Sequence, residues 1–335
     1  MRHDVAVIGA GSWGTTLAAT VARNVATMIW VRPEESEVAD EINTAHTNET
    51  YVPGARFVDA LRATTSLEEA VADVSVVVVA IPSRWIRGVL AEMSPLVGDS
   101  VPLVSLVKGL EAGSHKRMSE VIADEIPGRP VGALSGPNIA REVASGMGAA
   151  TVLAFDDHDT AARLRPLFDT GIFRVYTNHD LAGVELGGAL KNVIAIAAGM
   201  SDGAGGGENT RAAIVTRGLA EIARLGAAMG GEPATFAGLS GLGDLAVTCT
   251  SPHSRNRSVG EALGRGEKLE DILAGMHMVA EGVKSAPVVV ELAGLYGVDM
   301  PIAGFVDGVI SGTIELGDAL GMAQGLEAGH ESDSG

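Results

Sequence analysis

A single lysine interrupts a helix-length apolar stretch of this sequence. Between residues 186 and 200 the only polar residues are Lys191 and Asn192. A helix that is apolar on nearly all sides is normally buried, so we expect Lys191 to lie in a poorly solvated place. Desolvation lowers the pKa of a lysine from about 10.4 and makes the amine usable as a proton acceptor near neutral pH. The alternative is a structural lysine whose ammonium reaches the surface.

Two glycines precede this lysine on the same helical face. Gly188 and Gly187 stand three and four residues before Lys191, a spacing that makes them its neighbours on a helix. Each glycine costs about 1 kcal/mol in a helix interior relative to alanine. We predict that they leave room beside the amine, and close packing of another helix is the alternative.

A glycine-rich turn near the start of the sequence has the spacing of a dinucleotide-binding motif. The apolar run Val5–Ile8 precedes GAGSWG, and helix-forming residues follow. In this strand–turn–helix setting, Gly9 permits a tight turn, Gly11 lets the backbone approach a pyrophosphate, and Gly14 lets helix and strand pack closely. The N-terminus of the helix then faces the negative charge. The pattern predicts a nucleotide-binding fold.

The second strand is expected over residues 26–32 and ends at Arg32. An NAD-preferring site usually carries an acidic residue there to hold the ribose 2′-hydroxyl, whereas an arginine can pair with the 2′-phosphate of NADP. We therefore predict NADP(H) as the preferred cofactor, with NAD(H) as the second one. Glu34 and Glu35 follow, and they leave open the alternative that a carboxylate reaches the ribose.

Three further apolar runs are predicted as strands covered on both faces of a sheet. Ligands of open α/β sheets bind at the carboxyl ends of the strands, so we expect the residues that follow these runs to face a ligand. The runs are residues 74–81, 101–107 and 131–134, and they are followed by Pro82 and Ser83, by Lys108 and Gly109, and by residues 135–140. Two more strand candidates, residues 150–155 and 173–177, complete a doubly wound domain over residues 1–179.

The composition changes after residue 177 to alanine, glycine, leucine and isoleucine at helical spacing. This predicts an all-helical second domain over residues 180–327 and a disordered tail over residues 328–335. Within it, Asp244 is followed by the segment SRNR at residues 254–257, which we interpret as an exposed turn. Arginine presents a planar fork to phosphate, so the turn suits a small anionic ligand. The alternative is an arginine-rich surface turn.

Composition argues against several classes of protein. The net charge of −18 and the isoelectric point near 4.8 argue against binding to nucleic acid or to an anionic membrane. A single cysteine, Cys249, excludes an internal disulfide framework and suits a reducing compartment. We find neither an uninterrupted apolar segment as long as a membrane span nor a histidine–cysteine cluster with metal-ligand spacing. We therefore expect a cytoplasmic protein that is not inserted in a membrane and needs no metal.

Taken together, the motifs resemble one enzyme family. GAGSWGT, VKGLE, SGPNIA, ELGGALKNVIAIAAG, GLGDL and SRNR follow one another over residues 5–322, and the sequence is similar to NAD(P)-dependent sn-glycerol-3-phosphate dehydrogenase of the bacterial type. The resemblance implies an α/β fold, with an N-terminal Rossmann-type doubly wound sheet, an all-α C-terminal domain, a cleft between them and a homodimer. It also implies that glycerol 3-phosphate and dihydroxyacetone phosphate are interconverted, to supply phospholipid synthesis.

The resemblance implies a role for each matched residue. Lys191 corresponds to the proton acceptor, and Asp244 is expected to orient either substrate hydroxyls or Lys191. The implied substrate contacts are Lys108, Gly136, Asn138, Lys191, Asp244, Ser254, Arg255 and Asn256. The implied nucleotide contacts, besides Gly9, Gly11 and Gly14, are Ser12, Trp13, Arg32, Lys108, Ala140, Arg255, Val279 and Glu281. Two positions depart from the family pattern: Asn138 stands where many relatives carry serine or threonine, and Arg211 where some carry lysine.

Two other classes of protein remain open. A dehydrogenase of the β-hydroxyacid or 6-phosphogluconate type would share the dinucleotide fold and the helix lysine, but it should need a carboxylate clamp in place of the SRNR segment. A non-catalytic nucleotide sensor would keep the glycine-rich turn but would have no reason to bury Lys191. The substrate therefore distinguishes the two kinds of dehydrogenase, and the burial of Lys191 distinguishes an enzyme from a sensor.

Overall fold

The structure is a computed structural model that describes residues 3–276 and 280–315. The described residues divide into two units. The first comprises the chain up to Glu111 together with Lys116–Glu185, and the second comprises Ala112–His115 together with the chain from Leu186 onward. The implied nucleotide contact Val279 and the predicted tail over residues 328–335 lie outside the described residues.

The first unit is built on an eight-stranded sheet with the strand order β3-β2-β1-β4-β5-β6-β7-β8. Strands β1 to β6 pair in parallel, β7 runs antiparallel to β6, and β8 is parallel to β7. The strands are β1 Val5–Ile8, β2 Thr27–Trp30, β3 Leu61–Thr64, β4 Val76–Val79, β5 Leu103–Ser105, β6 Val131–Ser135, β7 Ala149–Phe155 and β8 Phe173–Asn178. This arrangement confirms the predicted Rossmann-type sheet.

Helices cover both faces of this sheet, as its strands require. Alternate residues of β1 belong to two separate apolar clusters: Val5 and Val7 to one, Ala6 and Ile8 to the other. Side chains of a strand point to opposite faces, so a run that is apolar at every position is buried on both sides. The helices of this unit are α1 Ser12–Val21, α2 Ser36–Thr44, α3 Leu67–Val71, α4 Ile86–Met93, α5 Met118–Glu125, α6 Ala140–Ala144 and α7 His158–Phe168. Short 3-10 turns span Pro33–Glu35 and Ser83–Trp85.

The parallel strands place several predicted ligand residues at one edge of the sheet. Gly9 follows β1, Lys108 follows β5, and Gly136 follows β6, so all three lie beyond carboxyl ends of parallel neighbours. Because β7 runs the other way, Phe155 at its end lies opposite Gly132 near the start of β6. The ends of β7 and β8 therefore lie at the opposite edge.

The second unit is helical, as predicted. Helix α8, Leu181–Gly203, begins in the last residues of the first unit, directly after the predicted domain boundary, and its part in the second unit carries Lys191 and Asn192. This is the one described helix long and apolar enough to cross a membrane, and 94% of its most apolar window is buried, as in the core helix of a globular protein. The other helices are α9 Glu208–Ala228, α10 Pro233–Phe236, α11 Asp244–Thr250, α12 Arg255–Gly264, α13 Leu269–Ala274, α14 Glu281–Tyr296 and α15 Pro301–Ile310, and a π-helical turn spans Leu239–Gly243.

Helices α8 and α12 approach each other closely enough for their backbones to touch. A Cβ atom on Gly199 would overlap the carbonyl oxygen of Arg257, and one on Gly260 would overlap that of Ile196. Such contact is open only to glycine, whose lack of a side chain normally costs about 1 kcal/mol in a helix. The two glycines therefore fix the distance between α8 and the first turns of α12.

Candidate active site

The glycine-rich turn of the first unit has the geometry of an anion cradle. Gly9 has φ of +116°, a conformation that side-chain-bearing residues rarely adopt. A Cβ atom on Gly14 would overlap the carbonyl oxygen of Gly9, so α1 packs directly against the turn. Gly11 is the N-cap residue of α1, and no side chain of the described residues caps this helix. The N-terminus of a helix attracts phosphate oxygens through its backbone N–H groups and its partial positive charge.

Two buried polar atoms at implied ligand positions lack hydrogen-bond partners within the described part of the chain. They are Nε1 of Trp13 and Oδ1 of Asn138. The Trp13 ring packs against Phe173 with centroids 6.2 Å apart, and Asn138 Nδ2 donates to Oγ1 of Thr151 at 2.9 Å. A buried polar atom is normally paired, so each orphan is consistent with a bound ligand or water. The orphaned Trp13 N–H and the glycine-rich turn fit a bound nucleotide, whereas Asn138 stands at an implied substrate contact.

Lys108 and Gly136 are brought together by neighbouring strands. Nζ of Lys108 donates to the carbonyl oxygen of Gly136 at 2.9 Å. Ala140 begins α6, and its carbonyl oxygen lies 3.4 Å from Oγ1 of Thr16 in α1. Lys108 and Gly136 thus lie on the segments that follow β5 and β6, and Ala140 contacts α1.

Arg32 lies two residues beyond the end of β2, because the strand is shorter than predicted and stops at Trp30. Its guanidinium forms an ion pair with Glu35 in the following 3-10 turn, with Nη2 2.5 Å from Oε1. Glu35 also accepts a hydrogen bond from the Tyr51 hydroxyl at 2.6 Å. The sequence left open whether Arg32 or a carboxylate that follows it would contact the ribose. In the structure, Arg32 and Glu35 form an ion pair.

In the second unit, Lys191 is buried beside a carboxylate. The residue is 5% exposed, which excludes an ammonium at the surface. Its Nζ donates to Oδ1 of Asp244 at 2.6 Å and to Oγ1 of Thr248 at 2.5 Å. Asp244 begins α11, and Thr248 stands one turn later on the same face. Sequence analysis missed Thr248, although its spacing from Asp244 was a usable signal.

Gly187 makes room for the turn that precedes Asp244, rather than for the amine of Lys191. A Cβ atom on Gly187 would lie 2.7 Å from the carbonyl oxygen of Ser240. Gly187 therefore lets the π-helical turn Leu239–Gly243 approach α8, and Asp244 follows that turn directly. At Gly187 the predicted space is filled by the backbone of this turn, which brings Asp244 to α8.

The SRNR segment is the beginning of α12, and its interpretation as an exposed turn is wrong. Ser254 is the N-cap residue, and its hydroxyl accepts from the backbone N–H of Arg257 at 3.3 Å. Asn256 is buried, and its Nδ2 donates to Oδ1 of Asn192 at 2.9 Å. Its Oδ1 accepts from the N–H of Gly282 at 2.9 Å. Asn256 thereby joins α12 to α8 and α14.

The two arginines of this segment have different surroundings. Arg257 forms ion pairs with Asp202, at 2.7 Å, and with Glu261, at 3.4 Å. Arg255 is exposed on the surface, yet desolvation by the protein around its guanidinium lowers the pKa, while Glu281 at the start of α14 raises it. An arginine remains charged under all ordinary conditions. The N-terminus of α12 therefore carries a guanidinium together with its own partial positive charge.

Comparison with known proteins connects both units to one family. Residues 4–161 match the model of the NAD-dependent glycerol-3-phosphate dehydrogenase N-terminus, and residues 180–331 match that of the C-terminus. The chain is 55% identical over 312 residues to glycerol-3-phosphate dehydrogenase (NAD(P)+) 2 of Sphingopyxis alaskensis, covering 93% of both proteins. It is 54% identical to the glycerol-3-phosphate dehydrogenase (NAD(P)+) of Mycobacterium avium, covering 92% of this chain and 90% of the relative.

Solved structures agree with these matches. The crystal structure of glycerol-3-phosphate dehydrogenase from Coxiella burnetii has a TM-score of 0.90 and 36% identity, and the match covers 96% of this chain and 99% of that one. A ketopantoate reductase from Ralstonia eutropha has a TM-score of 0.60 and 17% identity, over 92% of this chain and 97% of that one. The second likeness extends to the fold alone.

Proposed function

Because this chain belongs to the NAD-dependent glycerol-3-phosphate dehydrogenase family, we propose that it is an oxidoreductase that interconverts sn-glycerol 3-phosphate and dihydroxyacetone phosphate with NAD(P)(H). The observation that carries the proposal is the buried Lys191, 2.6 Å from Asp244. A nucleotide sensor has no use for a buried proton donor. The glycerol 3-phosphate formed would supply phospholipid synthesis.

The glycine-rich turn of the first unit supplies the pyrophosphate part of the nucleotide site. The turn from Gly9 to Gly14 and the uncapped N-terminus of α1 hold the pyrophosphate, and Arg32 contacts the 2′-phosphate of NADPH. The other contacts, assigned by the family pattern, are Ser12, Trp13, Lys108, Ala140, Arg255, Val279 and Glu281. When bound, the reduced nicotinamide supplies the hydride that is transferred to C2 of the substrate.

Lys191 handles the proton of the reaction. In the reductive direction, C2 accepts a hydride, the carbonyl electron pair moves onto oxygen, and the Lys191 ammonium donates a proton to that oxygen. In the oxidative direction, the neutral amine accepts the proton of the C2 hydroxyl. Asp244 and Thr248 orient Nζ through their hydrogen bonds. The family pattern also assigns Lys108 to the substrate, where a lysine ammonium would stabilise the negative charge that develops on the oxygen.

The N-terminus of α12 supplies the phosphate site. Arg255 donates charge-assisted hydrogen bonds to the phosphate oxygens, and the backbone N–H groups of the first turn add to this attraction. Ser254 and Asn256 position this turn through the cap and through the contact to Asn192. The family pattern also assigns Gly136 and Asn138 to substrate contacts.

Two further parts of the proposal concern the whole protein. We propose a homodimer, as the family resemblance implies, and sedimentation equilibrium of the purified protein tests it through the molar mass. We also place the protein in the cytoplasm, in keeping with its single cysteine, and cell fractionation tests this placement.

The reaction is tested by steady-state oxidation of NADPH with dihydroxyacetone phosphate beside a panel of 3-oxo acids. If the phosphate site at the N-terminus of α12 is used, we expect kcat/KM for the phosphorylated ketone to exceed that for any 3-oxo acid at least tenfold. Preference for a 3-oxo acid would instead place the chain with the carboxylate-specific dehydrogenases. Tight nucleotide binding without turnover would identify a sensor.

A further inference from the structure

A carboxylate opposes the arginine that would recognise the 2′-phosphate. Arg32 donates to Glu35 twice, from Nη2 to Oε1 at 2.5 Å and from Nε to Oε2 at 3.3 Å. The Tyr51 hydroxyl donates to the same Oε1 at 2.6 Å. A 2′-phosphate that approaches Arg32 therefore meets a negative charge already in contact with the guanidinium.

Tyr51 is held in place by the glycine-rich turn and by α1. Its carbonyl oxygen accepts from Oγ of Ser12 at 2.8 Å, and its N–H donates to Oδ1 of Asn48 at 3.2 Å. Asn48 is completely buried and donates from Nδ2 to the carbonyl oxygen of Ala10 at 3.2 Å and to Oγ1 of Thr15 at 3.0 Å. The Tyr51 hydroxyl, and with it Glu35, is thus fixed relative to the nucleotide turn.

Burial and charge make Glu35 a strong acceptor. Its side chain is 23% exposed, whereas that of Arg32 is 53% exposed. Burial alone raises the pKa of Glu35, but the hydrogen bonds from Arg32 and Tyr51 outweigh it and the pKa is lowered overall. The group is therefore an anion at neutral pH in a partly desolvated place, where hydrogen bonds to a charged acceptor are strong.

We propose that Glu35, oriented by Tyr51, determines the choice between NADH and NADPH, an inference that rests on the proposed function. Glu35 accepts hydrogen bonds from the adenosine ribose hydroxyls of NADH, the role that an acidic residue has near the end of this strand in dinucleotide-binding folds. The same carboxylate repels the 2′-phosphate of NADPH and competes with it for Arg32. Glu35 thus favours NADH and limits the affinity for NADPH, which lets one site accept both.

The test is the dissociation constant of NADPH and of NADH, measured by calorimetric titration of the full-length protein without substrate. Glu35→Gln should tighten NADPH binding at least threefold and weaken NADH binding at least threefold, because the neutral amide neither repels the phosphate nor accepts as strongly. Tyr51→Phe keeps the backbone contacts of Tyr51 and should shift the NADPH/NADH ratio in the same direction by a smaller factor. Glu37→Gln removes the same charge from an exposed position in α2 and should leave the ratio unchanged.

The outcomes separate this inference from the proposed function. If the wild-type protein binds both nucleotides and Glu35→Gln changes both dissociation constants by the same factor, the inference is wrong and the proposed function stands. The inference is also wrong if Glu37→Gln shifts the ratio as strongly as Glu35→Gln. If the wild-type protein binds neither nucleotide, both the function and the inference fall. The inference is supported if Glu35→Gln lowers the dissociation constant of NADPH and raises that of NADH, and if Tyr51→Phe shifts their ratio in the same direction by a smaller factor.

Discussion

Nζ of Lys191 lies 2.6 Å from Oδ1 of Asp244, and their side chains are only 6% and 2% exposed. Two charges buried this completely lose their hydration, and their attraction offsets that loss only when the geometry is good. Removal of one partner leaves the other as an unpaired buried charge, which costs about 3–5 kcal/mol. The pair is therefore a weak source of stability, which accords with the functional purpose that we propose for it.

Replacement of the lysine tests that purpose. Lys191→Ala removes the proton donor and should lower kcat at least 100-fold, the low end of what general acid–base catalysis contributes (about 10²–10⁴-fold). Nucleotide binding should persist, because the glycine-rich turn belongs to the first unit. Lys284→Ala, at an exposed position of α14, is the matched control and should be fully active. Near-normal kcat in Lys191→Ala would remove the lysine from the chemistry.

Arg32 provides a second test, through cofactor choice. Arg32→Asp removes the partner of the 2′-phosphate and adds a carboxylate beside Glu35, so KM for NADPH should rise much more than KM for NADH. Steady-state kinetics with each cofactor at saturating substrate measure the two values. Equal shifts would mean that Arg32 does not discriminate between the cofactors.

A third test uses Arg255 and compares a phosphorylated with an unphosphorylated substrate. Loss of a charge-assisted hydrogen bond worth about 1.5–3 kcal/mol means that Arg255→Leu should lower kcat/KM for dihydroxyacetone phosphate at least tenfold. Dihydroxyacetone has no phosphate for the guanidinium to hold, so its kcat/KM should fall much less. Arg265→Leu, at the exposed end of the same helix, controls for the change in net charge. An unchanged ratio between the two substrates would place the phosphate elsewhere.

Glu221 should make the stability of the second unit depend on pH. Its carboxylate accepts from the N–H groups of Ile302 and Ala303 in the first turn of α15, at 2.8 and 3.2 Å. Burial raises the pKa of Glu221 to about 7, from an ordinary value of 4.5, against the opposing effect of these two hydrogen bonds. The folded state then binds the proton more tightly than the unfolded state, so stability is lost as pH rises from about 4.5 to 7.

A glutamine at this position measures the effect. The difference in free energy of unfolding between wild type and Glu221→Gln should change by about 3 kcal/mol across that pH range, since each unit of pKa shift corresponds to about 1.4 kcal/mol. Urea denaturation at several pH values yields the difference. Glu270→Gln, exposed on α13, should differ from wild type by a constant amount. A constant difference for Glu221→Gln as well would contradict the pKa assignment.

Cys249 should be chemically inert in the folded protein. The residue is completely buried in α11, and burial raises the pKa of its thiol to about 12. Because the thiolate is the reactive form, we expect no alkylation by iodoacetamide at neutral pH until denaturant unfolds the chain. Mass spectrometry of the treated native protein measures the modification, and rapid labelling would mean that this helix opens.

Contiguous patterns predict the parts of the fold that are encoded locally. The apolar run of β1, its glycine-rich turn and α8 each occupy one stretch of sequence, and the structure places them as expected. The edge strand β3 was missed because Leu61–Thr64 alternates buried positions with the exposed Arg62 and is too short for a clear period. The other edge strand, β8, is longer and was predicted, so the shortness of β3 explains why it was missed.

The candidate site depends on contacts that no local pattern specifies. Lys191 and Asp244 are 53 residues apart in the chain, and only the folded unit selects this aspartate from the others. The SRNR segment was interpreted as a turn, in which serine and asparagine are common. Serine is equally a preferred N-cap residue, so Ser254 as the start of α12 was compatible with the sequence, and burial of Asn256 decided between the two.

The glycine contacts between α8 and α12 limit how the protein can be engineered for heat resistance. Replacement of a helical glycine by alanine commonly raises the free energy of unfolding by about 0.5–1 kcal/mol at a compatible position, and with it the melting temperature. At Gly199 and Gly260 a methyl group would overlap a carbonyl oxygen of the facing helix, so the usual gain becomes a loss. Helical glycines with open space around them, Gly88, Gly294 and Gly304, are instead the positions at which thermostable variants can be sought without altering the distance between α8 and α12.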